Sequence, residues 1–174
     1  ILDVCDIDNN SLQILKTILS KITVPKNFKI NFKHTDFLLW NCKTKYDIVV
    51  GNPPYGKITK NKKLLDLYKS KANNSNTNNI FSFFIEKSLR LGNYVSLIVP
   101  KSLLNAPEFN KTRDLLKNCD LQKICDYGEK AFKGVKIETV SFLCSSSLST
   151  KDSVIIESYI KNSYKGESKE YIFS

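Results

Sequence analysis

Tyr46-Asp47-Ile48-Val49-Val50-Gly51-Asn52-Pro53-Pro54-Tyr55-Gly56 holds a short strand and the corner that ends it. Ile48, Val49 and Val50 form a continuous apolar run bounded by turn residues. This predicts a strand covered on both faces of a parallel sheet. Pro53 and Pro54 have no N–H and a fixed φ, so the ladder must stop at them. Asn52 precedes a proline and is pushed towards an extended conformation. The corner therefore lies at the carboxyl end of a strand, where open α/β sheets bind ligands.

Asn52 offers a side-chain carbonyl and Pro53 a backbone carbonyl outside the ladder. Two such acceptors close together can hold both hydrogens of one planar NH₂ group. Tyr55 adds a flat face for stacking a base or an amide. A bare Asn-Pro-Pro also makes a plain turn; the apolar strand ahead of it and Tyr55-Gly56 behind it favour a functional corner. Asn52-Pro53-Pro54-Tyr55 resembles the catalytic motif of S-adenosylmethionine-dependent amino-methyltransferases, above all the adenine-specific (N6) DNA methyltransferases of restriction–modification systems. The resemblance implies catalytic roles for Asn52, Pro53 and Tyr55, base stacking by Tyr55 and a cofactor contact at Pro54.

Towards the N-terminus, residues 1–8 read as a strand ending in carboxylates. Asn9, Asn10 and Ser11 suit a helix N-terminus, and Asp8 is the expected cap. Leu12, Leu15, Leu19 and Ile22 follow at helical spacing until Pro25. Asp6 is either a solvated strand end or a ligand for two ribose hydroxyls. By the resemblance, Asp6 and Ile7 hold the ribose of the cofactor. Residues 28–32 alternate as a second strand. Asp36-Phe37-Leu38-Leu39-Trp40 then resembles the family's adenine-binding motif, in which Asp36 accepts from the cofactor's adenine amine and Phe37 packs on the ring. Core packing is an equally open reading of Phe37. Leu38, Leu39 and Trp40 are expected in the core, and His34 is expected to be structural.

Beyond Gly56 the chain carries Lys57, Lys60, Lys62, Lys63, Lys69 and Lys71, opposed only by Asp66, and then an Asn-rich run to Asn79. Residues 57–79 read as a mobile basic loop. Lys57, Lys60, Lys62 and Lys63 in it either neutralise phosphates or belong to a solvated insertion. A helix is predicted over 80–91, with Phe81, Phe84, Ile85 and Leu89 towards the core and Gly92 and Asn93 ending it. The resemblance assigns Phe84 to the wall beside the cofactor's adenine. A strand over 94–99 stops at Pro100. Val99-Pro100-Lys101-Ser102-Leu103-Leu104 is again a run the family shares. A helix over 108–118, a strand over 121–127, a loop over 129–135 and a strand over 138–144 complete the reading. Phe132 matches the family's second base-stacking aromatic, with a buried loop aromatic as the alternative.

The 174 residues suffice for one domain that buries about 70% of its unfolded surface. A net charge of +10, from 27 basic against 17 acidic residues, suits a polyanionic partner. Abundant Lys, Asn and Ile with scarce Arg is also what an AT-rich coding sequence produces. The five cysteines form no Cys-x-x-Cys pair and there is one histidine, which argues against zinc and for reduced thiols in the cytoplasm. No apolar run approaches the roughly 20 residues of a membrane span. The chain opens on Ile1 and lacks methionine, so it is expected to be part of a longer product.

The expected architecture is α/β: a Rossmann-like S-adenosylmethionine-dependent methyltransferase fold, with a mostly parallel sheet and a C-terminal antiparallel hairpin. Residues 1–148 would form a partial catalytic domain, and 149–174 a linker or the start of a target-recognition region. No residues match the family's first, central strand with its glycine-rich turn, which would lie between the Ile1 strand and the Ile48 strand. The chain by itself is therefore expected to be inactive. The resemblance implies methyl transfer from S-adenosyl-L-methionine to the exocyclic amine of adenine in double-stranded DNA, after base flipping. A cognate or fused restriction endonuclease is the other candidate partner, and neither metal nor membrane is implied. A protein-glutamine or RNA amino-methyltransferase, and a non-enzymatic remnant or DNA-binding fragment, are the alternatives.

Overall fold

The computed structural model describes residues 1–147, 153–160 and 166–172. The chain divides into two compact units, Ile1–Cys42 and Lys43–Ser174.

The first unit is a strand–helix–strand motif: β1 (Leu2–Asp6), α1 (Asn9–Leu19) and β2 (Ile30–His34). The strands run parallel in register from Leu2 opposite Ile30 to Asp6 opposite His34, as a helical crossover allows. Asp8 caps α1, its carboxylate accepting from the N–H groups of Asn10 and Ser11 and from the Ser11 hydroxyl at 2.7 Å. The Ser11 hydroxyl bond, chiefly, holds the Asp8 carboxyl below its ordinary range. Leu12 and Leu38 are the buried apolar side chains of this unit, while Leu39 and Trp40, expected in the core, are half-buried. The helix stops at Leu19, so Ile22 lies beyond its core face and is exposed. Phe28 falls before β2, in a turn where its N–H bonds the Pro25 carbonyl, and it too is exposed.

The second unit is built on a six-stranded sheet in the order β3-β4-β6-β5-β7-β8. Its strands are β3 (Tyr46–Gly51), β4 (Gly92–Pro100), β5 (Asp120–Gly128), β6 (Thr139–Ser145), β7 (Ser153–Ser158) and β8 (Glu167–Ile172). Helices α2 (Lys62–Ser70), α3 (Ile80–Leu91) and α4 (Asn110–Lys117) join them. The core gathers Phe81 and Ile85 of α3, Val95, Leu97 and Val99 of β4, Phe109 before α4, and Val140 and Phe142 of β6. Gly92 lets α3 pass directly into β4. A Cβ there would stand 2.9 Å from Val49 Cγ2 and 2.7 Å from the Tyr94 carbonyl oxygen.

Several expectations are corrected by these pairings. The sheet is mixed rather than mostly parallel: β3–β4 and β5–β7 are parallel, while β4–β6, β5–β6 and β7–β8 are antiparallel. The β5–β6 hairpin is the expected antiparallel closure. β3 is not covered on both faces. It is an edge strand with β4 as its partner, and Ile48 and Val50 are 63% and 70% exposed. Its apolar run reflects strand propensity as well as burial.

The stretch 57–79 is not a loop throughout. Lys62–Ser70 is helical with Leu65 and Tyr68 buried, and Asn74, Thr77 and Asn79 are buried as well. The reason lies in α3: the buried Glu86 carboxylate accepts from the N–H groups of Asn73 (2.7 Å) and Asn74 (3.0 Å), and Asn74 Nδ2 donates to Thr112 Oγ1 at 2.8 Å. On α3, Phe83 rather than Phe84 is buried. Phe83 packs beside Tyr68 of α2, with ring centroids 6.1 Å apart, and Phe84 is half-buried. The sheet also continues past residue 148, since β7 pairs with β5 and β8 with β7 inside the stretch expected to be a linker or the start of a target-recognition region.

Candidate active site

The register of the second unit brings several strand ends to one edge. Gly51 of β3 stands opposite Leu97 of β4. Further along β4, Val99 and Pro100 stand opposite Val140 and Thr139, and those residues pair with Asp126 and Gly128 of β5. The Asn52 corner, the end of β4, the end of β5 and the start of β6 therefore share the carboxyl edge of the parallel strands. This is the edge at which ligands bind in α/β sheets.

At that edge Asn52 leaves the ladder with an exposed side chain that hydrogen-bonds to no other described residue. Pro53 is buried, Pro54 exposed and Tyr55 half-buried. Tyr55 reaches across to β4, its hydroxyl donating to the Ile98 carbonyl at 3.1 Å. That bond fixes the ring plane, and burial raises the phenol above its ordinary pKa, so it stays a donor. Gly56 takes φ +130°, a backbone that favours glycine. Its carbonyl accepts from Ile80 N–H at 3.0 Å, which fastens the corner to the start of α3. The corner is thus held from both sides, by β4 and by α3, with its amide left open.

Of the predicted lysines, Lys57 is engaged: its ammonium pairs with Glu108 at 2.8 Å, and Glu108 also accepts from Asn79 Nδ2. Lys60, Lys62 and Lys63 are exposed around the start of α2, where Asn61 caps the helix by accepting from Leu64 N–H. Cations there face the positive end of the helix dipole, so an anion nearby would relieve both. Phe132 is half-buried in the loop between β5 and β6 that begins and ends on the same edge.

The first unit gathers its own set. Asp6 ends β1, His34 ends β2 opposite it, and Thr35 N–H donates to the Asp6 carbonyl at 3.0 Å. Asp6, Ile7, Asp36 and Phe37 therefore share one edge. Asp6 Oδ1 accepts from Asp8 N–H and Asp36 Oδ1 from Leu38 N–H, both at 2.8 Å, which orients each carboxylate. His34 has a structural bond, its Nε2 lying 3.1 Å from the Ile7 carbonyl. Two oriented carboxylates beside an aromatic ring suit the hydroxyls and exocyclic amine of an adenosine. This unit contains no glycine, so the fit covers the adenosine half of a nucleoside cofactor and not an amino-acid tail.

Two arrangements in the second unit have no signal in the sequence. One is the Tyr55–Ile98 bond, which joins residues far apart in the chain. The other is a cluster of Lys101, Asp126 and Glu138. The run around Lys101 stands out in the sequence, but a lysine's partner cannot be read from its neighbours.

The model of the Eco57I restriction-modification methylase family matches residues 4–132. The Type II methyltransferase M.TthHB8I of Thermus thermophilus is 32% identical over 117 residues, 60% of this chain and 27% of that protein. M.PstI of Providencia stuartii is 30% identical over 139 residues, 78% of this chain and 24% of that protein. The chain thus spans about a quarter of the length of these curated relatives.

Among solved structures, the type IIG restriction endonuclease BpuSI superposes with a TM-score of 0.72 at 19% identity, over 98% of this chain and 24% of that one. A Listeria monocytogenes protein assigned to the class I S-adenosylmethionine-dependent methyltransferases gives 0.70 at 18% identity, over 90% and 48%. The fold is accordingly that of the S-adenosylmethionine-dependent methyltransferases, and S-adenosylmethionine is the cofactor that goes with it. The chain belongs to the Eco57I restriction-modification methylase family.

Proposed function

We propose that the full-length protein methylates the exocyclic N6 amine of adenine in double-stranded DNA, as the modification activity of a restriction–modification system. The single observation that carries this reading is the corner itself: an open Asn52 amide beside the Pro53 carbonyl, at the carboxyl edge of the sheet, with the Tyr55 ring pinned to Ile98.

The adenine amine is a poor nucleophile because its lone pair is delocalised into the ring. Asn52 Oδ1 and the Pro53 carbonyl would accept its two N–H hydrogens and so turn the lone pair towards the methyl donor. When bound, S-adenosylmethionine would supply that methyl from its sulfonium: the nitrogen–methyl bond would form as the sulfur–methyl bond breaks, a neutral thioether would leave, and the extra proton on nitrogen would pass to solvent. Orientation and electrostatics do this work, and no protein nucleophile is required. Asp6, Ile7, Asp36 and Phe37 of the first unit would hold the adenosine half of the cofactor.

The target base must leave the duplex, at a cost of a few kcal/mol. Stacking on Tyr55 and Phe132, worth about 1–3 kcal/mol per base, offsets it. Lys60, Lys62 and Lys63 would meet phosphates. A restriction endonuclease, separate or in the same polypeptide, is the expected functional partner, and the cytoplasm the expected place of action. Among the described residues no helix is long and apolar enough to cross a membrane.

The test offers labelled S-adenosylmethionine and the full-length protein three acceptors: unmodified genomic DNA, RNA, and a protein carrying a glutamine acceptor. Label is expected in DNA. Label in RNA or in the protein acceptor would move the same corner to the corresponding amine or amide, and label in none would leave a non-catalytic relative.

A further inference from the structure

The loop 129–138 leaves the end of β5 and returns at the start of β6, on the same edge as the Asn52 corner. It carries Phe132, half-buried, and three exposed lysines, Lys130, Lys133 and Lys136. Such a loop would ordinarily be loosely held, since few of its own backbone groups are paired: Lys130 N–H bonds the Tyr127 carbonyl and Val135 N–H bonds the Phe132 carbonyl. Its two ends, however, are tied to a single side chain.

Lys101 stands just past the end of β4. Its ammonium lies 2.8 Å from Asp126 Oδ2 and 3.6 Å from Glu138 Oε1, and its backbone N–H donates to the Glu138 carbonyl at 2.9 Å. Asp126 precedes the loop and Glu138 closes it. The other Asp126 oxygen, Oδ1, accepts from Gly128 N–H at 3.0 Å. Gly128 takes φ +53°, just after a register shift that bulges β5 between Asp126 and Gly128. Bulges of this kind re-aim a strand end and recur beside active sites. The outer side of Asp126 is backed by Tyr159, whose N–H donates to the Asp126 carbonyl at 2.7 Å, and the Tyr159 ring stacks on Tyr127. The Lys101 and Asp126 side chains are half-buried and the Glu138 side chain is exposed, so the Asp126 pair is the less screened of the two. The Asp126 bond, above all, raises the Lys101 pKa, so the clasp stays charged.

We infer that Lys101 is a positioning residue for the methyl-transfer reaction: by clasping both ends of the 129–138 loop it holds Phe132 where an extruded base stacks. This rests on the proposed role of Phe132 in base capture. Lys101 touches neither substrate nor cofactor in this scheme. It acts through the loop.

The experiment uses the full-length protein and two readouts. Trypsin nicking after Lys130, Lys133 and Lys136, followed by mass spectrometry, reports loop order without any DNA, because exposed and loosely held segments are cut fastest. Steady-state methyl transfer to unmodified genomic DNA reports the reaction. Lys101→Met should speed nicking in the loop and raise KM for DNA about tenfold, the scale of one base–aromatic stack, with kcat and cofactor affinity little changed. Lys101→Arg, which keeps the charge and adds forked donors, should restore both. Lys117→Met removes an equally positive but exposed lysine, paired among the described residues only with Asp114 at 4.0 Å, and should alter neither. If Lys101→Met is nicked no faster than the parent, or if Lys117→Met raises KM as much, the clasp is overturned. If Lys101→Met loosens the loop while Phe132→Ala methylates DNA like the parent, the base-capture reading falls and Lys101 has no part in the reaction.

Discussion

Asn52 and Tyr55 are neighbours in the corner but are held by different means, so their substitutions should separate. Asn52 contributes an open amide and an exposed side chain. Asn52→Ala should lower kcat on the order of 10²–10³-fold, the usual size of losing one preorganised hydrogen-bonding group at a reacting centre. Filter binding should show DNA affinity unchanged, and a variant with parental kcat would remove Asn52 from the chemistry. Tyr55 contributes a ring and a tether. Tyr55→Phe keeps the ring and loses the bond to the Ile98 carbonyl. It should cost about 1 kcal/mol of stability in urea unfolding with KM for DNA nearly kept. Tyr55→Ala should raise KM for DNA about tenfold as the stacking face disappears. Equal kinetics for the Phe and Ala variants would make Tyr55 purely structural. The residues of this corner were legible in the sequence because their chemistry is local: two prolines stop a strand and leave Asn52 at its mouth.

At the scale of elements, the legible parts were those whose cause lies within a short window. The bounds of α3 emerge as predicted, over 80–91, because its apolar residues recur at helical spacing between Asn79 and Gly92. The helix α2 did not, because its buried Leu65 and Tyr68 are hidden among lysines. Nor did the burial of the Asn-rich run, since the group that satisfies it, Glu86, sits on another helix. That network makes its own prediction. Glu86→Ala strands the buried N–H of Asn74 and releases the exposed Asn73, and should destabilise the protein by about 1–3 kcal/mol, read as a lower urea midpoint. An unchanged midpoint would mean water replaces the carboxylate at no cost.

The same segment bears the exposed lysines. Replacing Lys60, Lys62 and Lys63 with Ala should reduce the slope of log K against log salt by about 0.9 for each phosphate left unneutralised. Lys57→Ala should leave the slope alone, because Lys57 is already paired with Glu108. A slope that ignores all four would place the phosphate-binding cations elsewhere.

Across the whole molecule, the class of fold was readable from the alternation of strands and helices, but the order of the sheet was not. Strand order depends on pairings between distant residues. β6 inserts between β4 and β5, and β7 adds beyond β5, and no local pattern announces either. The exposure of Ile48 and Val50 has the same origin, since an edge strand and a central one can carry identical apolar runs. What the assembled sheet adds is convergence. The Asn52–Tyr55 corner after β3, the Lys101 clasp after β4 and the Phe132 loop between β5 and β6 meet one edge of one sheet. A net charge of +10 favours a polyanion at such a surface.

The most direct measurement is nucleoside mass spectrometry of unmodified duplex DNA incubated with the full-length protein and isotope-labelled S-adenosylmethionine. Labelled N6-methyldeoxyadenosine is the predicted product, and it should vanish with Asn52→Ala. Label on cytosine instead, or N6-methyladenine formed equally by Asn52→Ala, would contradict the assignment of this corner to an adenine amine.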